Sequence, residues 1–330
     1  MLYIESPSTD PRWNLALEEY VFSHMDRARE YFMLWQNHNT VVIGKNQNTI
    51  AEINSDFVRD RDIQVVRRLS GGGAVYHDLG NLNFSFIADA QNMNEINFTR
   101  FCQPVVKTLQ QMGVPAEING RNDMLICGRK FSGNAQYTRQ GRVLHHGTLM
   151  FDSDLGVVSA ALKPNKAKLQ TKGIASVSSR VCNISEFLPK EITLEQFKAA
   201  LLHNLLGSDS PVPYSFTAED LATIDSIKRE RYDKWEWNYG FSPRYRIVKE
   251  GRVEGCGTLQ LSLDVEKGIL KDIEFFGDFF DYGNLDALAS LLTGTSIQAQ
   301  ALQALLATHD PSQYIRGLQA DDLIRLITEG

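Results

Sequence analysis

Arg67-Arg68-Leu69-Ser70-Gly71-Gly72-Gly73-Ala74-Val75-Tyr76-His77-Asp78-Leu79-Gly80-Asn81-Leu82-Asn83-Phe84-Ser85-Phe86 is the stretch from which the rest of the chain is read. Apolar runs at 63–66 and 83–87 read as strands, with paired arginines and three consecutive glycines between them. Three glycines in a row lose much conformational freedom on folding and add nothing to a core. They serve either a tight turn or a close approach of backbone to a ligand. Bare N–H groups in such a turn form a concave anion site, and two guanidinium groups beside it suit phosphate or carboxylate. A glycine-rich hairpin with solvated arginines is the competing reading. Arg-Arg before the glycines and His77-Asp78 after them favour a site.

The chain's 330 residues leave room for one large domain or a large and a small one, and 43% hydrophobic with 22% charged residues describes a soluble globular protein. A net charge of -6 argues against a general binder of nucleic acid or membrane surfaces. No apolar run approaches the roughly 20 residues of a membrane helix. Met1–Ser6 begins no secretory signal, so a cytoplasmic location is expected. Cys102, Cys127, Cys182 and Cys256 are far apart and form no Cys-x-x-Cys pair, which predicts isolated reduced thiols.

Apolar periodicity predicts amphipathic helices over 11–29, 98–112, 193–206 and 217–232. Residues 32–35 and 40–43 read as short buried strands, followed by a polar loop at 44–48 in which Lys45 is a solvated lysine by default. Beyond a break at 234–243, three strands over 245–248, 256–265 and 268–276 and helices over 284–292, 297–307 and 320–328 make a second α+β unit.

Two more stretches stand out. In 119–136 an apolar strand is flanked by Asn122 and Asp123 at one end and by Gly128-Arg129-Lys130-Phe131-Ser132-Gly133-Asn134 at the other. The small, polar run 172–183, from Lys172-Gly173 to Arg180 and Cys182, reads as a loop. His145-His146 lies in a strand over 143–151, where neighbours face opposite sides, so the two do not share a metal. Neither a P-loop, a Gly-x-Gly-x-x-Gly turn nor a Gly-x-Ser-x-Gly elbow is present. Arg67, Arg68, Lys130, Lys172 and Arg180 suit a phosphate-bearing ligand. Asp123 is the acidic exception, either capping a turn after Asn122 or serving through Mg²⁺ or as an acceptor for a sugar or base.

Taken together, Arg67–Asp78, Asn122-Asp123 with 128–135, His145-His146-Gly147-Thr148-Leu149, and Lys172-Gly173-Ile174 with Ser176-Val177 and Ser179-Arg180-Val181 resemble the lipoate–protein ligase family over nearly the whole chain. The resemblance implies a mixed α/β fold of the α+β kind. A large, mostly antiparallel sheet similar to that of biotin–protein ligases would occupy 1–243, and a small α+β accessory domain 244–330. It implies ATP-dependent activation of lipoate to lipoyl-AMP, then transfer to a lysine of an apo lipoyl domain. Acceptors would be 2-oxoacid dehydrogenase E2 subunits or the glycine-cleavage H protein, and the ligase is expected to be a monomer. By the same resemblance Lys130 is the catalytic residue. Arg68, Gly73, Ala74, Val75, Tyr76, Asn122, Asp123, Lys130, Thr148, Lys172, Gly173 and Arg180 contact ATP or the adenylate. Arg67, Ser70, Gly72, His77, Lys130 and His146 contact lipoate, whose chain lies in an apolar slot from 32–35, 41–43 and Val75. Mg²⁺ would come with ATP, with Asp123 as its candidate ligand. An ATP-independent lipoyl or octanoyl transferase of the same fold, using Cys182, and a non-catalytic lipoate- or nucleotide-binding protein are the alternatives.

Overall fold

The computed structural model describes residues 1–47, 49–89, 98–120, 122–162, 180–189, 191–208, 211–239, 247–266 and 269–329. Helix α1 (Pro11–Ser23) starts where Asp10 accepts from the Arg12 N–H and Pro11 supplies a preset φ. Among the described residues thirteen strands follow the chain: β1 (Leu2–Glu5), β2 (Tyr31–Trp35), β3 (Thr40–Ile43), β4 (Gln64–Arg67), β5 (Val75–His77), β6 (Asn81–Asp89), β7 (Ala116–Asn119), β8 (Asp123–Ile126), β9 (Arg129–Arg139), β10 (Arg142–Met150), β11 (Ile247–Val253), β12 (Gly257–Glu266) and β13 (Ile269–Gly277).

The largest sheet has the order β1-β2-β6-β10-β9-β8-β7. Only its β1–β2 pair is parallel. One face packs on helices α2 (Phe98–Gln111) and α3 (Leu194–Leu206) through Phe84, Phe86, Val105, Leu109, Phe197 and Leu201. The other face receives α1 and helix α4 (Ala218–Ile227) through Met33, Trp35, Leu15, Val21, Ile87 and Ile224. This is the mixed α/β, mostly antiparallel architecture expected. The strands at 32–35 and 40–43 form as read, but in different sheets: β3 is the centre of a small sheet of order β4-β3-β5.

The three C-terminal strands form an antiparallel meander. It shares a core with helices α5 (Leu285–Leu292), α6 (Ala299–Leu306) and α7 (Ala320–Glu329) through Leu261, Ile273, Leu288, Leu302, Leu323 and Ile327. The expected boundary at 243/244 and the break around it lie partly outside the described residues. No helix among the described residues is long and apolar enough to cross a membrane.

Candidate active site

β4 pairs parallel with β3 and β5 pairs antiparallel with it, so the glycines carry the chain across the end of β3. The glycine-rich hairpin of the competing reading is therefore not formed. Its two arginines are not solvated either. Arg67 is 0% exposed. Its guanidinium donates to the carbonyls of Gly44 (2.9 Å), Lys45 (3.1 Å), Gln47 (2.6 Å) and Trp237 (2.8 Å) and to Thr49 Oγ1 (2.7 Å). It is a strut that fixes residues 44–47 and Thr49, and it is occupied by the chain's own carbonyls. Arg68, 6% exposed, donates from Nη2 to Gly71 O (2.7 Å) and Gly73 O (2.8 Å) and from Nε to Ser70 Oγ (2.9 Å). Burial lowers its pKa to about 10, a shift opposed by the nearby charge of Glu18 and helped by that of Arg67. By drawing two carbonyls inward, Arg68 sets the shape of the turn, in which Gly72 takes φ +90, a value L side chains rarely adopt.

The second corner comes from the β8–β9 hairpin. Cys127 (φ 49) and Gly128 (φ 77) make a two-residue turn with both residues left-handed, which matches the twist of the flanking strands. The strand leaving it carries Lys130, whose Nζ lies 2.7 Å from Asp123 Oδ1. A Cβ on Gly133 would stand 3.0 Å from Lys130 Nζ, so the ammonium lies over a residue without a side chain. The Gly133 N–H donates to Thr148 Oγ1 (3.1 Å), and Asn122 Nδ2 donates to Asn134 O (2.9 Å). Asn122, Asp123, Lys130 and Thr148 are thus brought together. Val181 forms a bridge with Lys130, which brings the neighbouring Arg180 to this corner. Lys172 and Gly173 lie outside the described residues.

The adjacent histidines face opposite sides, as read. His145 is buried among Phe84, Phe98 and Phe101, and burial holds its pKa well below the usual value. His146 is on the face of Thr148, two residues along β10. Its Nε2 is 2.6 Å from Ser70 Oγ and its Nδ1 is 2.9 and 3.0 Å from the two Glu18 carboxylate oxygens. His77 receives the amide groups of Asn37 (3.1 Å) and Asn83 (3.4 Å) at Nδ1, so its proton sits on Nε2, which has no partner among the described residues. Burial, with the charges of Arg68 and His146, lowers the pKa of His77 to about 3.

Of the expected apolar slot, Trp35, Val42 and Val75 belong to the core on the face of α1, whereas Phe32 and Leu34 belong to the opposite core. Ala74 packs beneath β3 with Val41 and Ile43, and Tyr76 in the same layer donates its hydroxyl to Asn39. The C-terminal unit closes on the glycines. The Gly72 N–H donates to Phe279 O (3.2 Å), the Gly277 N–H to Asn46 O (2.7 Å), and Phe280 packs with Phe98 and Ala135. Lys45, read as solvated, pairs with Asp281 at 3.3 Å.

Residues 10–206 match the family model of the lipoyl protein ligase A/B catalytic domain, and residues 242–327 that of the bacterial lipoate protein ligase C-terminus. The chain belongs to the lipoate–protein ligase family. Lipoate-protein ligase LplJ of Bacillus subtilis is 45% identical over 99% of this chain and 100% of its own. P. falciparum LipL1, solved in complex with lipoate, superposes with a TM-score of 0.79 at 26% identity, covering 100% of this chain and 99% of that one. A lipoate-protein ligase A bound with ATP gives 0.63 at 25% identity, covering 73% and 98%. This lipoate–protein ligase family member carries the glycine turn on the small β4-β3-β5 sheet and the Lys130 hairpin on the large one. Two features of its site escaped the sequence reading: Glu18, hidden in a helix read only as packing, and the segment Phe279–Asp281. The spacing of Asn14, Glu18, Val21 and Met25 on one helical stripe was the available signal for Glu18, which is 2% exposed.

Proposed function

We propose that this protein is a lipoate–protein ligase acting through an acyl-adenylate, with Lys130 as its catalytic residue. The observation that carries the reading is the Lys130 ammonium, paired with Asp123 and lying over Gly133, 35% exposed. In the first step an oxygen of the lipoate carboxylate bonds to the α-phosphorus of ATP, the α–β P–O bond breaks, and pyrophosphate leaves. In the second, a lysine amine of an apo lipoyl domain bonds to the acyl carbon, the C–O bond to phosphate breaks, the amine sheds a proton, and AMP leaves. Charge builds at the junction of carboxylate and phosphate in the first step, and a compact ammonium there stabilises both oxygens.

Arg68 and the backbone at Gly73–Tyr76, with Asn122, Asp123, Thr148, Lys172, Gly173 and Arg180, would hold the nucleotide. Ser70, Gly72, His77 and His146 would line the lipoate side, and the buried Arg67 would serve both by holding the loop beneath them. No group of three or more His, Cys, Asp or Glu side chains converges among the described residues. Asp123, engaged by Lys130, fits a Mg²⁺ carried in by the triphosphate, contributing one oxygen beside phosphate oxygens; it does not fit a resident caged metal. Such an ion would neutralise phosphate charge.

The catalytic unit would span 1–243 and the accessory unit 244–330, in a cytoplasmic monomer whose acceptors are lipoyl domains of E2 subunits or an H protein. The test is purified protein with lipoate, Mg·ATP and an apo lipoyl domain. A mass increase on the acceptor that requires ATP is expected; modification that proceeds unchanged without ATP sinks the ligase reading in favour of a transferase.

A further inference from the structure

A chain of buried polar groups runs beneath the glycine turn, and Glu18 at its centre has no part in the steps proposed for the ligase. The Trp35 indole N–H donates to Ser85 Oγ (2.9 Å), and the Ser85 hydroxyl donates to Glu18 Oε1 (2.6 Å). His146 stands between the Glu18 carboxylate and Ser70, and Ser70 Oγ accepts from Arg68 Nε at 2.9 Å. Arg68 in turn holds the carbonyls of Gly71 and Gly73. Glu18, Ser70, Arg68 and His146 are 2%, 1%, 6% and 6% exposed, so each link is shielded from water.

The geometry Ser70–His146–Glu18 invites comparison with a hydrolytic triad, and two facts argue against it. Ser70 is 1% exposed, and its oxygen already accepts from a guanidinium, which draws electron density from the lone pair a nucleophile needs. A different role follows from charge. Among the described residues the acceptors of Arg68 are a hydroxyl and backbone carbonyls, all neutral, so its charge is not neutralised by direct contact. Glu18 is the acid whose field favours the charged guanidinium. A buried carboxylate is itself costly unless hydrogen-bonded, and Ser85 and His146 supply those bonds. The carboxylate accepts only, so His146 Nδ1 carries a proton, and the ring is fixed with Nε2 aimed at Ser70.

We propose that Glu18 is a positioning residue: through His146 and Ser70 it sets the Arg68 guanidinium, and through Arg68 the conformation of Gly71–Gly73. The inference rests on the ligase reading for its link to nucleotide binding, and its structural half can be tested without that reading. In Glu18→Gln the size is kept and the charge removed. In Ser70→Ala the carboxylate and imidazole stay and the link to Arg68 is cut. Each variant is expected to raise the KM for ATP in lipoyl-AMP formation about tenfold or more, and in Glu18→Gln the KM for lipoate is expected to stay within about twofold. The double variant is expected to be no worse than the worse single one, because both cut the same chain.

Amide hydrogen exchange over residues 70–74 is measured on the same proteins without substrates, and faster exchange is expected in both variants. Unchanged exchange, a wild-type KM for ATP, an equal rise in the KM for lipoate in Glu18→Gln, or multiplying defects in the double variant would each overturn the proposal. Failure of the wild-type protein to make lipoyl-AMP would instead overturn the ligase reading, leaving the exchange data to judge the relay. If Glu18→Gln does not fold, Ser70→Ala alone decides by the same two measurements.

Discussion

Lys130 Nζ stands 2.7 Å from Asp123 Oδ1 across the β8–β9 hairpin, with the two side chains 35% and 39% exposed. The pair is held in place yet still reachable. An exposed ion pair of this kind contributes under about 1 kcal/mol to stability. Lys130→Ala is therefore expected to leave the unfolding midpoint nearly unchanged while pyrophosphate release falls about 10²–10³-fold or more. Release within a few-fold of wild type, by a coupled phosphate assay, would refute the role given to this lysine.

Arg67 is expected to behave in the opposite way. Replacing it with methionine removes the donors that satisfy the Gly44, Lys45 and Gln47 carbonyls. Each buried acceptor left unpaired costs about 1–3 kcal/mol. Urea unfolding of Arg67→Met should show a loss of about 3 kcal/mol or more. A change too small to resolve would show that solvent reaches those carbonyls.

Acid should weaken the fold through its buried histidines. His77 has its pKa lowered from 6.5 to about 3 by burial, and His145 is held well below 6.5 for the same reason. Both stay neutral in the folded chain where the unfolded chain takes up protons. Their contribution is complete above about pH 6.5 and is lost as pH falls from there towards 3. The urea midpoint is expected to drop across that window, and His145→Phe should flatten the drop.

A side chain at Gly71 would meet Phe279 O at 2.3 Å and Phe280 Cα at 3.4 Å, both backbone atoms that do not swing aside. Gly71→Ala should therefore lift the C-terminal unit from the glycine turn. Small-angle scattering is expected to report a more extended particle; an unchanged radius of gyration would show that the loop yields instead.

Cys182 is fully buried, and burial raises its thiol pKa to about 11, against the pull of Arg129. A thiol kept protonated at neutral pH is a poor acyl acceptor. Cys182→Ser should retain lipoylation within about twofold. Complete inactivity of a folded variant would revive a covalent intermediate.

Much of this was legible in the residues. Helical spacing placed the helices at 98–111 and 194–206, and alternation with turn residues placed the C-terminal meander. What periodicity cannot state is which strands pair. β2 and β3, adjacent in sequence, lie in different sheets, and the short β1 and β5 are strands because of their partners. Arg67 and Arg68 are chemically identical in a sequence, and only the alternation of side chains along the end of β4 separates the strut from the residue beneath the glycines. Glu18 is hidden for a related reason: a carboxylate on a helix is usually solvated, and its burial depends on Ser85 and His146 from two strands far away in the chain.

The Phe279 carbonyl on the Gly72 N–H has a thermodynamic meaning. The turn's donor already has an occupant, delivered by the same chain at fixed effective concentration. Any anion using that N–H binds in competition with it. Its measured dissociation constant is then the intrinsic one divided by the fraction of molecules in which Phe279 has let go. Severing the C-terminal segment from the turn would tighten apparent binding at that N–H without adding a single contact to the ligand.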